Sequence, residues 1–75
     1  MSPLTPEPNR SGHILSMYRE GLNLSQDAFA SAAGLTSSQV AQVERGAPLR
    51  DGRVVLSRYL ECLAALVQAE RASAS

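Results

Sequence analysis

The stretch Leu24-Ser-Gln-Asp-Ala-Phe-Ala-Ser-Ala-Ala-Gly34-Leu-Thr-Ser-Ser-Gln-Val-Ala-Gln-Val-Glu-Arg-Gly46 decides the fold. It holds two helix starts and two helix stops in alternating order. Ser25 is a good N-cap residue, and Asp27 just after it places a negative charge where a helix N-terminus favours one. Phe29, Ala30 and Ala33 fall on one face of the short helix that follows, and Gly34 stands where such a helix ends in a left-handed residue. A second start comes at once. Thr36-Ser-Ser-Gln39 fits the capping box, with Leu35 and Val40 placed as a hydrophobic staple around it. Val40 and Val43 face inward, and Gly46 followed by Pro48 ends the helix.

Outward from this stretch, the chain continues to read as helix. On the N-terminal side a helix is predicted from about Gly12 to Gly21 with Ser11 as its N-cap, and Ile14, Met17, Tyr18 and Leu22 recur at helical spacing as its buried stripe. Asn23 between Leu22 and Leu24 supplies a left-handed turn residue. On the C-terminal side no breaker occurs from Arg53 to about Ala72, and Asp51 is placed to cap the start. Leu56, Tyr59, Leu60, Leu63, Leu66 and Val67 form a continuous stripe there. Its subset 56, 60, 63, 67 steps like a short heptad seam. Leu56, Leu60 and Leu63 are expected to close the core, while Leu63, Leu66 and Val67 are the candidates for a contact between two copies. Residues 1–10 hold three of the four prolines and read as an extended arm, 11–72 as one domain, and 73–75 as a tail.

Composition sets the outer limits. At 75 residues the chain is one domain near the lower size limit for a single core. One cysteine, Cys62, and one histidine, His13, allow neither an intramolecular disulfide nor a zinc site, and no metal or cofactor is expected. No apolar run approaches a membrane span, and the first residues lack the charge and apolar core of a signal peptide, so a cytoplasmic protein is expected. The formal net charge of zero argues mildly against a nucleic-acid partner. Its distribution weakens that argument: all seven basic residues are arginine, and Arg45, Arg50, Arg53 and Arg58 cluster in one short segment.

Two short helices joined by Gly34-Leu35-Thr36 have the spacing of a helix-turn-helix, in which the second helix lays its N-terminal residues against base edges in the major groove. With Val40 and Val43 turned to the core, Ser37, Ser38, Ala41, Gln42 and Arg45 point outward, and none of them is acidic. Glutamine can pair with an adenine edge through two hydrogen bonds, serine can serve a donor or an acceptor, and an alanine methyl can meet a thymine methyl.

Leu24-Ser-Gln-Asp-Ala-Phe-Ala30, Gly34-Leu-Thr36 and Val43-Glu-Arg-Gly46 together resemble the Xre/Cro-like family of phage and bacterial repressors, over about residues 12 to 66. The resemblance implies an all-α, lambda-repressor-like bundle of four to five compact helices that binds double-stranded DNA as a two-fold dimer. By position it implies base reading by Ser37, Ser38 and Gln42, to which the outward-facing Ala41 is added as a candidate, and backbone contacts by Gln26, Thr36, Arg45, Arg50 and Arg53. It also implies an ion pair between Arg19 and Glu44 that sets the angle of the recognition helix. The family commonly has a short loop between its fourth and fifth helices. Residues 53–72 carry no turn signal, so these two helices are expected to be fused.

Elsewhere the residues read as structural. Cys62 is expected to behave as a small buried hydrophobe, Tyr18, Phe29 and Tyr59 as core, and His13 as a solvated side chain. No serine has the histidine and acid partners of a nucleophile, so no enzyme is expected. The resulting expectation is a homodimeric repressor on a pseudo-palindromic operator. The alternative is an antitoxin or protein-interaction adaptor of the same fold, with a toxin as the protein partner.

Overall fold

The computed structural model describes residues 10–74, with side chains described from residue 12 to 73; of the arm expected at residues 1–10, residues 1–9 lie outside this range and Arg10 is instead the first residue of a helix. Four helices follow one another, α1 Arg10–Gly21, α2 Gln26–Ala33, α3 Ser37–Arg45 and α4 Gly52–Ala74, and no strand occurs among the described residues. The fold is all-α.

The caps of the central pair form from the side chains that the sequence supplies. Ser25 Oγ accepts the Ala28 N–H at 3.1 Å, and Gly34 ends α2 with φ 71. Thr36 Oγ1 accepts the Gln39 N–H at 3.0 Å while Gln39 Oε1 accepts the Thr36 N–H at 2.9 Å, closing the capping box. Gly46 ends α3 with φ 72, and Asn23 takes the left-handed turn after α1 with φ 60. Each device satisfies backbone groups that a helix end would otherwise leave without partners.

The core consists of Phe29 and Ala30 from α2, Val40 and Val43 from α3, and Val55, Tyr59 and Leu63 from α4, with Leu15, Leu22, Leu24, Leu35, Leu49, Cys62 and Leu66 packed around it. The Phe29 and Tyr59 rings meet at 4.5 Å between centroids, tilted by 48°, a favourable aromatic geometry. Burial pushes the Cys62 thiol up, so it stays a protonated packing group.

Several sequence expectations are overturned here. The stripe of Ile14, Met17 and Tyr18 does not face the core: Met17 is 57% exposed and Tyr18 58%. The inward face of α1 is Gly12, Leu15 and Arg19, and of the expected stripe only Leu22, just past the helix end, packs against the core. Two close contacts set this rotation. Gly12 lies so near the end of α3 that a Cβ on it would stand 2.4 Å from the Val43 carbonyl oxygen and 2.6 Å from that of Glu44. One face and two turns further on, Arg19 enters the core region to meet Glu44. Ser11, expected as a cap, lies within α1.

The long helix is turned in a similar way. Val55, Tyr59 and Leu63 carry its core face, while Leu56 and Leu60, expected inside, are exposed. Of the three residues expected between two copies, Leu63 is buried, while Leu66 packs against the same core but is, like Val67, only half-buried. Asp51 has φ 55, not the extended conformation of an N-cap; its contribution to the first turn is its carbonyl, which accepts the Val55 N–H at 3.0 Å. The fused last helix runs unbroken for 23 residues, taking in Ser73 and Ala74, which were expected in the tail.

Candidate nucleic-acid interface

Helix α3 is held at both ends and in the middle. Its N-terminus is fixed by the capping box, and its middle by the burial of Val40 and Val43. Its C-terminal end is fixed by a polar hub around Glu44. The Arg19 guanidinium donates through Nε to Glu44 Oε2 at 2.6 Å and through Nη2 to Oε1 at 3.0 Å, and its Nη1 donates to the Leu24 carbonyl at 2.7 Å. Tyr59 donates its hydroxyl proton to Glu44 Oε2 at 2.6 Å. Gln26 donates its amide N–H to Oε1 at 3.1 Å. Four helices therefore meet on one carboxylate.

Arg19 and Glu44 are only 6% and 9% exposed, and no buried side-chain nitrogen or oxygen among the described residues lacks a partner. Burial works against ionised Glu44, but the hydrogen bonds from Arg19, Tyr59 and Gln26 outweigh it and hold the carboxyl below its usual range. The bond to Glu44 raises Arg19 against the opposing effect of burial. Burial and the bond to Glu44 both push Tyr59 up, so it remains a neutral donor. A bidentate, charge-assisted pair of this kind fixes orientation as well as adding energy. The angle of α3 is thereby tied to α1, α2 and α4 together.

On the outer side of α3, Ser38 is exposed, and Ser37, Ala41 and Gln42 are partly so. Thr36 is exposed at the start of the helix. Its backbone N–H and one oxygen lone pair are taken by the capping box, while its hydroxyl proton is free to be given. Arg45 is exposed at the end of α3, Arg50 in the following loop, and Arg53 in the first turn of α4. Gln26 points inward with one amide proton to Glu44, leaving its second amide proton. Ser37 donates its hydroxyl proton to Asp27 Oδ1, joining the first turns of α2 and α3.

Three residues with a part in this arrangement escaped the sequence reading. Tyr59 was read as core alone, and nothing in its spacing distinguishes a hydroxyl with a buried acceptor. Asp27 was read only as a helix-start charge. Arg58 reaches from α4 to the turn between α2 and α3, where its Nη1 donates to the Gly34 carbonyl at 3.3 Å. Its place in a run of arginines concealed that role.

No group of three or more histidine, cysteine or acidic side chains able to hold a metal occurs among the described residues, and none of their helices is long and apolar enough to cross a membrane. No curated protein and no solved structure matches the chain significantly. The sequence profile of the family described as helix-turn-helix matches residues 15–60, which is more than half of the chain and takes in α2, the turn and α3 whole. That family consists of DNA-binding regulatory domains and is not an enzyme family. The chain belongs to the Xre/Cro-like helix-turn-helix family.

Proposed function

We propose that the protein is a sequence-specific regulator of transcription, a repressor that binds a pseudo-palindromic operator in double-stranded DNA as a homodimer. The observation that carries this reading is the outer face of α3, small and polar at Ser37, Ser38, Ala41 and Gln42, on a helix held at a fixed angle by the Arg19–Glu44–Tyr59 hub. Base contact requires such preorganisation, because a recognition helix free to rotate would lose its register on the groove. Ser37, Ser38, Ala41 and Gln42 read bases. Thr36, Gln26, Arg45, Arg50 and Arg53 bind phosphates, which position the domain without carrying sequence information.

The pairing of two copies is supported by the apolar surface that α1 and α4 leave open. Ile14, Met17, Tyr18, Leu22 and Val67 line one groove of about 500 Å³. Leu60, Ala64, Tyr18 and Val67 line its neighbour, so Tyr18 and Val67 join the two into one surface. Its α4 side contains Leu60 and Val67, one heptad apart, the spacing by which helices pair. Two copies joined there would present recognition helices to half-sites about 34 Å apart.

Selection of bound sequences from a random DNA pool tests the reading directly. A palindromic site with half-sites one helical turn apart is expected, and recovery of no preferred sequence at low salt would refute it. Gln42→Ala is expected to relax one position of the site. Arg53→Ala should weaken binding to all sequences and flatten the salt dependence. Leu60→Glu should give a folded monomer in sedimentation; a persisting dimer would move the interface elsewhere.

The zero net charge together with the same apolar surface favours one second reading, an antitoxin or adaptor of this fold whose α1–α4 face binds another protein. It predicts a wild-type monomer in solution and a single-copy complex with that protein.

A further inference from the structure

A hydrogen bond joins Ser37, the first residue of α3, to Asp27 in the first turn of α2. A carboxylate has no proton to give, so the proton in this bond is that of Ser37. A free serine hydroxyl rotates and serves donors and acceptors alike, which makes it a poor discriminator. With its proton committed to Asp27, Ser37 offers the groove lone pairs only. In the major groove, adenine and cytosine present an exocyclic amine that donates, whereas guanine and thymine present acceptors. We infer that Asp27 is a positioning residue for sequence reading, turning Ser37 into an acceptor-only reader that selects adenine or cytosine at one position of each half-site.

This inference rests on the reading of α3 as the base-contacting helix. The bond joins the first turns of two separately capped helices, each fixed by its own hydroxyl cap, Ser25 for α2 and Thr36 for α3. The distance between the two residues is therefore set by the fold and not by a mobile loop. Asp27 is exposed and Ser37 partly so, which leaves the oxygen of Ser37 within reach of a ligand on that side. The negative charge of Asp27 at the same place also repels phosphate, so it weakens binding to every sequence while sharpening the choice among them.

The test is binding-site selection with the wild type, Asp27→Asn and Asp27→Ala, each checked for unchanged helix content. The wild type is expected to show one position limited to adenine or cytosine on one strand, by about three- to ten-fold, the discrimination of a single hydrogen bond. Asp27→Asn keeps an oxygen to accept the serine proton, so the preference should persist while affinity rises. Asp27→Ala frees the hydroxyl, and the preference at that position alone should fall to near one. If Asp27→Ala raises affinity evenly and leaves the preference in place, Asp27 acts through its charge only and the inference is overturned. A wild-type site with no position of that kind overturns it as well. Failure of the wild type to select any sequence would instead remove the DNA-reading function itself, and the inference with it.

Discussion

The two faces of α1 contrast in a way that reverses the usual order of a protein surface. Its inner face buries Gly12 and Arg19, a residue without a side chain and one with a full charge. Its outer face shows Ile14, Met17 and Tyr18 to solvent. Apolar area favours turning the outer stripe inward, by about 25 cal/mol for each Å² removed from water. Against that stand a backbone approach that only glycine permits and an ion pair that becomes costly when half of it is lost. In this fold specific contacts, not apolar area, set the rotation of the helix. The apolar area is left on the surface.

The inner face should break most severely. Arg19→Ala leaves Glu44 buried with neutral donors only, and is expected to cost about 3 kcal/mol. That is the lower end for a buried pair, because a thin edge of each side chain still meets water. A chain of 75 residues has a total stability of roughly 4–11 kcal/mol, so the variant should be near unfolding at 37 °C. Urea denaturation followed by circular dichroism measures it, and a loss under 1 kcal/mol would show that the hub is not what orients α1. The pH dependence gives the same comparison a sign. Glu44 in the wild type titrates below its unfolded value, so its contribution is complete above about pH 4.5 and is lost as the pH falls through the folded value. In Arg19→Ala the carboxylate is uncompensated and its folded value should rise above the unfolded one, so that variant should gain stability on mild acidification.

Gly12→Ala probes the other anchor of the same face. Alanine is the better helix former by about 1 kcal/mol, yet its Cβ would stand against two backbone carbonyls of α3 that have no rotamer with which to yield. Displacing α1 from α3 should outweigh the propensity gain and leave a net loss of about 1–3 kcal/mol. The shift should also spread to the Arg19–Glu44 bonds, so the two substitutions are expected to be non-additive in a double-mutant cycle.

How much of this was legible in the sequence follows from how local each cause is. The caps at Ser25 and Thr36 and the stops at Gly34 and Gly46 depend on residues within four positions of one another, and the chain announces them. The Arg19–Glu44 pair spans 25 positions and was foreseen through the resemblance, not from spacing. The rotation of α1 was misread, and that of α4 in part, with Tyr59, Leu63 and Leu66 inward as expected but Leu56 and Leu60 outward, because more than one stripe has helical spacing and periodicity favours the greasier one. Gly12 offered the one available signal, since a glycine early in a helix is costly unless something approaches closely. In the candidate site, the outward residues of α3 follow from the inward valines. The partners of Ser37 and Glu44 are long-range, and no pattern in the sequence marks Asp27 or Tyr59 as those partners.

A milder change separates the faces from the opposite direction. Gly21 closes α1 on the outer side, and a Cβ there would meet nothing within 4 Å. Its φ lies outside the left-handed region, so alanine fits the backbone already present. Gly21→Ala is expected to stabilise by about 0.5 kcal/mol, mainly by reducing the freedom of the unfolded chain. Two glycines in one helix should thus respond to the same substitution with opposite signs, and equal signs would mean that α1 does not lie against α3 as described.

The smallest effect on folding should come from the most apolar part of the comparison. Met17 is long, exposed and flanked by Ile14 and Tyr18 on the open groove. Glutamine has a similar shape and nearly the same helix propensity, so Met17→Gln changes polarity and little else. In the isolated monomer its effect should stay within about 0.5 kcal/mol, as for other surface substitutions. Self-association is a different quantity, because in the proposed dimer the methionine would move from water into a contact and the amide would have to be desolvated without a partner. Denaturation midpoints should therefore be unchanged at high dilution and fall behind the wild type as protein concentration rises. A midpoint equally low at every concentration would place Met17 in the core of the monomer. One that is unchanged at every concentration would place the contact between copies away from α1.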